Sequence, residues 1–271
     1  NVRPGDTVIV RKAGDVIPEV VGPVLSLRPK DSKPWKFPVN CPACGQKLSK
    51  PDGEVQHRCV NVECPQRRST AIEYFASRNG MEIEGLGIAK VNQLIDAGLI
   101  SNIADIYYLE RNDLEKLERM ATKSIDNLLS SVEKSKTQPL YRLLIALGIR
   151  HVGPTAAREL ASNYEDIFAI ANAGESEIAN LEGLGIVIAQ SVKDFFGNDK
   201  NMKMIQRLVD AGVNVKGTLI GQSSLDSGSK VFAGMTFVLT GSMETMTRDQ
   251  AGEEVLSRGG KVSSSVSVKT S

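Results

Sequence analysis

The chain of 271 residues contains four cysteines, Cys41, Cys44, Cys59 and Cys64, all within one stretch of 24 residues. The spacing is C-x2-C, then fourteen residues, then C-x4-C. Two chemistries compete for such a set: a pair of disulfides or one metal ion. Disulfides belong to oxidising compartments and to small secreted domains. Here the cysteines are clustered instead of stapling distant segments, and nothing in the sequence resembles an export signal. Each close pair can place two thiolates on one side of a tetrahedral ion, and the intervening loop folds the pairs together. Gly45 suits the tight knuckle after Cys44. A segment this short buries too little apolar surface to hold itself folded, and zinc ligation supplies on the order of 10 kcal/mol. The expectation is a structural zinc ion on Cys41, Cys44, Cys59 and Cys64, with no open coordination position. His57 reads as a surface or DNA-facing residue, not a fifth candidate ligand. Lys50–Gly53, "KPDG", matches a nucleotidyl-transfer nucleophile motif in letters, but Pro-Asp-Gly between the cysteine pairs reads as a reverse turn.

The elements around this knuckle differ on its two sides. Before it, residues 7–28 alternate Val and Ile with turn residues. Thr7–Arg11 and Val16–Val21 read as strands joined at Ala13-Gly14-Asp15, with Pro18 marking an edge or a bulge. After it, the sequence repeats. "IEGLGIAKVNQLI" begins at Ile83, "LERMATKSIDNLL" at Leu117, "IRHVGPTAARELA" at Ile149 and "LEGLGIVIAQSVK" at Leu181. The blocks align on Gly87, Ala121, Gly153 and Gly185, which are 34, 32 and 32 residues apart. Four residues on come Val91, Ile125, Ala157 and Ala189, and seven on come Leu94, Leu128, Leu160 and Val192, one face of an α-helix. Each unit reads as helix, tight glycine turn, helix. Tetratricopeptide and ankyrin arrays have a similar period, but they place no glycine-flanked apolar residue at the turn.

These turns have a chemistry of their own. Gly85-Leu86-Gly87 would bend the chain, seat Leu86 in the core and leave backbone N–H groups free at the start of the next helix. Such a terminus binds phosphate, and glycine lets a nucleic-acid backbone come close. The same expectation attaches to Gly148 with Gly153 and to Gly183 with Gly185. Ala121 and Arg119 replace the glycines of the second block, which reads as packing alone. Amide donors also suit the charge distribution. Residues 1–50 carry nine Lys/Arg against four Asp/Glu, a local +5, but residues 71–200 carry 13 against 19, a local −6, in a chain of net +1. Contacts of this kind hold a duplex without reading its sequence.

Residues 216–230 read as a Gly/Ser-rich linker. Beyond it, Phe237–Thr240 is an expected strand. A helix capped by Thr247 and Gln250 runs to Ser257, Gly259-Gly260 ends it, and Lys261–Ser263 begins a second strand. No apolar run is long enough to span a bilayer. The chain opens at Asn1 inside a strand-like pattern, which reads as part of a longer protein.

In this order the parts resemble the C-terminal portion of bacterial NAD-dependent DNA ligases over essentially the whole chain. "VRKAGDVIPEV" looks like the closing part of that family's OB-fold, the four cysteines its zinc finger, the repeats its helix-hairpin-helix domain, and "FAGMTFVLTG…GGKVSSSVSVKTS" the first half of its BRCT domain. The implied class is multidomain α+β. It comprises a partial OB-fold β-barrel over residues 1–38, the zinc finger over 39–70, four helix-hairpin-helix motifs over 71–215, the linker over 216–230 and a partial α/β BRCT domain over 231–271. The resemblance implies nick sealing by adenylyl transfer: a lysine takes AMP from NAD, AMP passes to the 5′-phosphate, and the 3′-hydroxyl displaces it with magnesium assisting. The family's nucleophile and NAD site lie in a different, N-terminal domain, so no catalytic residue is expected here, and the portion by itself should be inactive. Arg11, Lys12, Val16 and Ile17 match the part of the OB-fold that faces the nick. The expected setting is a bacterial cytoplasmic monomer on nicked double-stranded DNA, with no membrane. The rival expectation is a non-catalytic repair or recombination scaffold built on tandem hairpins.

Overall fold

A computed structural model of the chain describes residues 2–14, 17–50, 55–61, 64–218, 231–241, 243, 245–246, 248–263, 265–267 and 270–271. They divide into two compact units, Asn1–Thr70 and Ala71–Ser271.

In the first unit, β1 (Val8–Ala13) pairs antiparallel with β2 (Ile17–Pro23), with a register shift between Ile9 and Val10. Pro18, which cannot donate to a ladder, lies opposite Lys12 in a two-stranded ribbon where every strand is an edge. Among the described residues this is a ribbon and not a closed barrel. Ile9, Val10, Ile17, Val20 and Val21 remain exposed on it. A 3-10 turn at Leu25–Leu27 follows. Arg28 then returns to Asp6 through two hydrogen bonds of 2.8 and 2.7 Å. The cysteine segment contributes a second small ribbon, β3 (Leu48–Ser49) with β4 (Arg58–Cys59).

Helix α1 (Pro65–Ala76) starts directly after the fourth cysteine, with Pro at a position where no N–H is needed. The second unit is dominated by helices: α2 (Ile88–Asp96), a 3-10 helix (Ile103–Tyr108), α3 (Arg111–Leu114), α4 (Thr122–Ser135), α5 (Leu140–Ala146), α6 (Pro154–Asn163), α7 (Ile167–Asn172), α8 (Glu175–Ala179), α9 (Ile186–Phe196) and α10 (Asp199–Asp210). One apolar core runs through them from Ile72 to Val213. The two columns read from the repeat are its spine. Val91, Ile125, Ala157 and Ala189, and Leu94, Leu128, Leu160 and Val192, are all essentially inaccessible to water. One polar pair taken inside is satisfied, the Tyr107 hydroxyl lying 3.0 Å from Ser135 Oγ, which also donates to the Val132 carbonyl.

Ordered packing continues past residue 215, the expected end of the helical domain. Gly217 N–H donates to Glu165 O and Thr218 N–H to Ala161 O. A Cβ at Gly217 would sit 2.0 Å from the Tyr164 carbonyl oxygen, so the backbone approach itself demands glycine. Residues 219–230, most of the expected linker, lie outside the described residues.

At the end of the chain, β5 (Thr236–Val238) and β6 (Lys261–Ser263) pair in parallel, connected through α11 (Arg248–Ser257). This is the expected β-α-β unit, although the first strand is shorter than Phe237–Thr240 at its end and begins one residue earlier. Gly259 takes φ +82°, and at Gly260 a Cβ would press within 2.7 Å of Val255. The glycine pair therefore both stops the helix and lets the chain pass tightly beneath it. Thr247, the expected cap, is outside the described residues.

Candidate metal centre and nucleic-acid interface

The cysteine segment is shaped before any ion is considered. Cys41 N–H donates to Gln46 O and Gly45 N–H to Cys41 O, closing a knuckle in which Gly45 takes φ +73°. Leu48 lies opposite Cys59 in the small ribbon, which brings the third cysteine back to the first two. Cys64 N–H donates to Asn61 O, and the Cys64 carbonyl accepts the first bond of α1. The four Sγ atoms lie within 4.8 Å of one another. Cys41 Sγ is 3.9 Å from Cys64 Sγ and Cys44 Sγ is 3.6 Å from Cys59 Sγ. Four sulfurs at about 2.3 Å around a tetrahedral zinc ion are separated by about 3.8 Å, whereas a disulfide needs about 2.05 Å. The set fits zinc in number, chemistry and edge length.

The thiols also show why a cation is wanted there. Burial pushes the Cys59 thiol up to about 12. A hydrogen bond from the Asn61 side chain, aided by the Gln46 backbone, pulls Cys44 down to about 6. Four thiolates this close cannot all ionise against one another without a divalent ion between them. With zinc bound, all four positions are filled by sulfur and the role is structural. His57 does not join the cluster. Its ring stacks on Phe37 at 4.0 Å, and Phe37 meets Trp35 edge-on at 5.2 Å. This small aromatic ladder had no signature in the cysteine spacing. Of the "KPDG" turn, Pro51, Asp52 and Gly53 lie outside the described residues.

On the strand ribbon, Arg11 and Glu19 face each other and pair at 2.7 Å, both well exposed. Lys12 and Ile17 are exposed as well. Val16 lies outside the described residues.

The hairpin turns repeat one geometry. Leu86, Val152 and Leu184 point into the core, and Met120 is partly buried against it. The residue after each is an N-cap in extended backbone: Gly87 before α2, Ala121 before α4, Gly153 before α6 and Gly185 before α9. None of these four helices has a side-chain cap or an acidic residue in its first turn. Elsewhere in the unit, Asp166, Asn198 and Asn102 cap α7, α10 and the 3-10 helix with their side chains. Gly87, Gly153 and Gly185 do not need to be glycine for the fold. Their φ values are negative, and a Cβ on any of them would meet nothing within 4 Å. Ala121 adopts the same conformation with a Cβ in place.

Gly85 and Gly183 stand two residues before their N-caps with φ of +85° and +75°. The structure places Gly148 elsewhere. It ends α5, donating its N–H to Ile145 O with φ +65°, and the position equivalent to Gly85 and Gly183 is taken by His151. Glycine is the usual occupant of this backbone region, so the sequence points to Gly148; a left-handed histidine has no comparable signature.

A four-cysteine knuckle followed in sequence by tandem hairpins with bare helix N-termini is the outline of a modular zinc-finger and helix-hairpin-helix chain. The comparisons with known proteins make this specific. Residues 40–65 match the NAD-dependent DNA ligase C4 zinc finger domain, residues 142–205 the helix-hairpin-helix motif, and residues 227–271 the BRCA1 C Terminus (BRCT) domain. Over 273 residues, all of this chain and 40% of the relative, it is 46% identical to a DNA ligase of Symbiobacterium thermophilum. It is 47% identical to a DNA ligase of Hydrogenobaculum sp., over 98% of this chain and 37% of the relative. A DNA ligase of Chloroflexus aggregans is 42% identical over 100% of this chain and 39% of the relative. The chain thus matches the C-terminal part of NAD-dependent DNA ligase, and spans about two fifths of the length of these relatives. Among the described residues no helix is long and apolar enough to cross a membrane.

Proposed function

We propose that this chain is the DNA-holding part of an NAD-dependent DNA ligase, and that the parent enzyme seals nicks in double-stranded DNA. In this reading the adenylyl chemistry, with its lysine, NAD and magnesium, belongs to a domain outside the chain. The chain itself contributes grip, as a monomer in the bacterial cytoplasm. The β1–β2 ribbon is two strands of an OB-fold, and its tip, with Arg11, Lys12 and Ile17, approaches the duplex near the nick. Residues 39–70 are the zinc finger, and the hairpins hold phosphates on either side of the break.

The observation that carries this reading is the set of open glycines. Gly87, Gly153 and Gly185 lie at uncapped helix N-termini, in backbone that any residue could adopt, where an added Cβ would meet nothing within 4 Å among the described residues. Ala121, in the same backbone, shows that the fold accepts a methyl group there. The missing Cβ is therefore explained by something that approaches from outside, and a helix N-terminus attracts an anion. The absence of first-turn carboxylates fits the same partner.

The test compares binding of nicked and intact duplex by the zinc-loaded chain over a salt series. Affinity should fall steeply with salt as phosphate contacts displace counterions, and nicked duplex should be preferred. Gly87→Ala, Gly153→Ala and Gly185→Ala should leave the melting temperature unchanged or slightly raised while weakening DNA binding several-fold. Salt-independent binding, or alanine variants that bind as tightly as the parent chain, would count against the reading.

A further inference from the structure

One backbone position recurs in all four hairpins. The residue two before the N-cap has φ of +85° at Gly85, +58° at Arg119, +64° at His151 and +75° at Gly183. Glycine adopts this region freely, whereas other residues are uncommon in it. Among the described residues only one other non-glycine residue has positive φ, Glu82 at +56°. Glu82 has an internal partner, since its Oε2 lies 3.7 Å from Arg142 Nη1. Arg119 and His151 have none. Both are exposed, and neither side chain makes a hydrogen bond or ion pair among the described residues. Several other arginines pair with carboxylates, Arg11 with Glu19, Arg111 with Asp126, Arg207 with Asp105 and Arg258 with Glu254; Arg67 and Arg78 share the lack of a side-chain partner among the described residues, but neither stands in left-handed backbone. The fold gains nothing visible from either side chain, and glycine would be the easier occupant of both positions. In the second hairpin the Cβ of Ala121 also stands where the other hairpins are bare.

We propose that Arg119 and His151 are side-chain donors to duplex phosphates. The four hairpins are then of two kinds. The first and fourth hold phosphate with main-chain amides alone. The second and third extend a guanidinium and an imidazole N–H from a left-handed turn that aims them outward. The proposal rests on the reading of the chain as the DNA-holding part of a ligase.

Replacing each residue by glycine separates this role from a structural one, because the two roles predict opposite behaviour. Arg119→Gly and His151→Gly relieve the backbone, so both should melt at the same or a higher temperature. Each should nevertheless bind a fluorescent nicked duplex roughly tenfold more weakly, the size of one lost charge-assisted contact. Arg119→Gly should also make the log–log salt dependence shallower by about 0.9, one phosphate's share. Arg119→Ala and His151→Ala, which keep the Cβ, should lose affinity to the same extent, and Arg119→Lys should recover part of it. Glycine variants that melt higher and bind nicked duplex as the unaltered chain does would overturn the proposal alone. An unaltered chain that binds no duplex would overturn it together with the function on which it rests.

Discussion

At Asp6 the carboxylate accepts hydrogen bonds from Arg28 Nε and Nη2, and from the Arg3 N–H at 2.8 Å. The Arg28 guanidinium holds its pKa at about 2, below the ordinary 3.8. A folded-state value below the unfolded one means that the unfolded chain binds more protons at intermediate pH. The stabilisation is therefore complete above about pH 4 and is lost as the pH falls through about 2. Chemical denaturation of the strand hairpin, followed by amide exchange between those limits, should show this loss, and Asp6→Asn should abolish it; identical profiles for the two proteins would contradict the assignment. At the same scale, Gly183→Ala should cost about 1–2 kcal/mol because φ there is +75°, and a melt against Gly185→Ala, expected to be neutral, reads the difference. The cysteines were the most legible residues in the sequence, because metal ligation fixes both residue type and spacing. The stacking of His57 on Phe37 was not legible, because residues 20 apart meet only once the ribbon has folded. The left-handed Arg119 and His151 were hidden for a related reason: the sign of φ at a non-glycine residue is imposed by the turn around it.

At the level of elements, the repeat was legible because burial leaves a period. The two columns of the hairpin helices alternate with exposed positions at helical spacing, and every member of both columns is buried. Ile125→Ala and Leu128→Ala should each cost about 2–5 kcal/mol in a denaturant titration, since both side chains would leave cavities. The positions corresponding to Ile125 in the third and fourth hairpins are Ala157 and Ala189, both fully buried. Ala157→Leu should be unfavourable for the opposite reason, overpacking, by about 1–3 kcal/mol. A variant as stable as the parent would show that the third hairpin packs loosely. Boundaries were less legible. Residues 216–218 look like linker by composition, yet the hydrogen bonds of Gly217 and Thr218 tie them to Glu165 and Ala161, partners some fifty residues away. Gly217→Ala should release this segment and expose the amide of Thr218 to rapid exchange.

For the molecule as a whole, the order of parts was more legible than the extent of each. The zinc knuckle, the hairpin array and the β-α-β unit all follow from local patterns, whereas a barrel depends on pairings between distant strands, and among the described residues only β1 and β2 pair within residues 1–38. The apolar core from Ile72 to Val213 contains none of the four cysteines. A strong chelator should therefore abolish amide protection in residues 40–65 while leaving the helical far-ultraviolet signal largely intact; a cooperative collapse of both would refute that division. The knuckle has a consequence beyond stability. Its sulfurs come from two segments, Cys41 with Cys44 and Cys59 with Cys64, and apart from the ion only a two-residue ribbon, Leu48–Ser49 with Arg58–Cys59, ties the two together among the described residues. Maturation of the cysteine segment is then tied to the cell's supply of zinc, and under metal starvation newly made chains would be vulnerable to proteases between the two cysteine pairs while their helices had already folded.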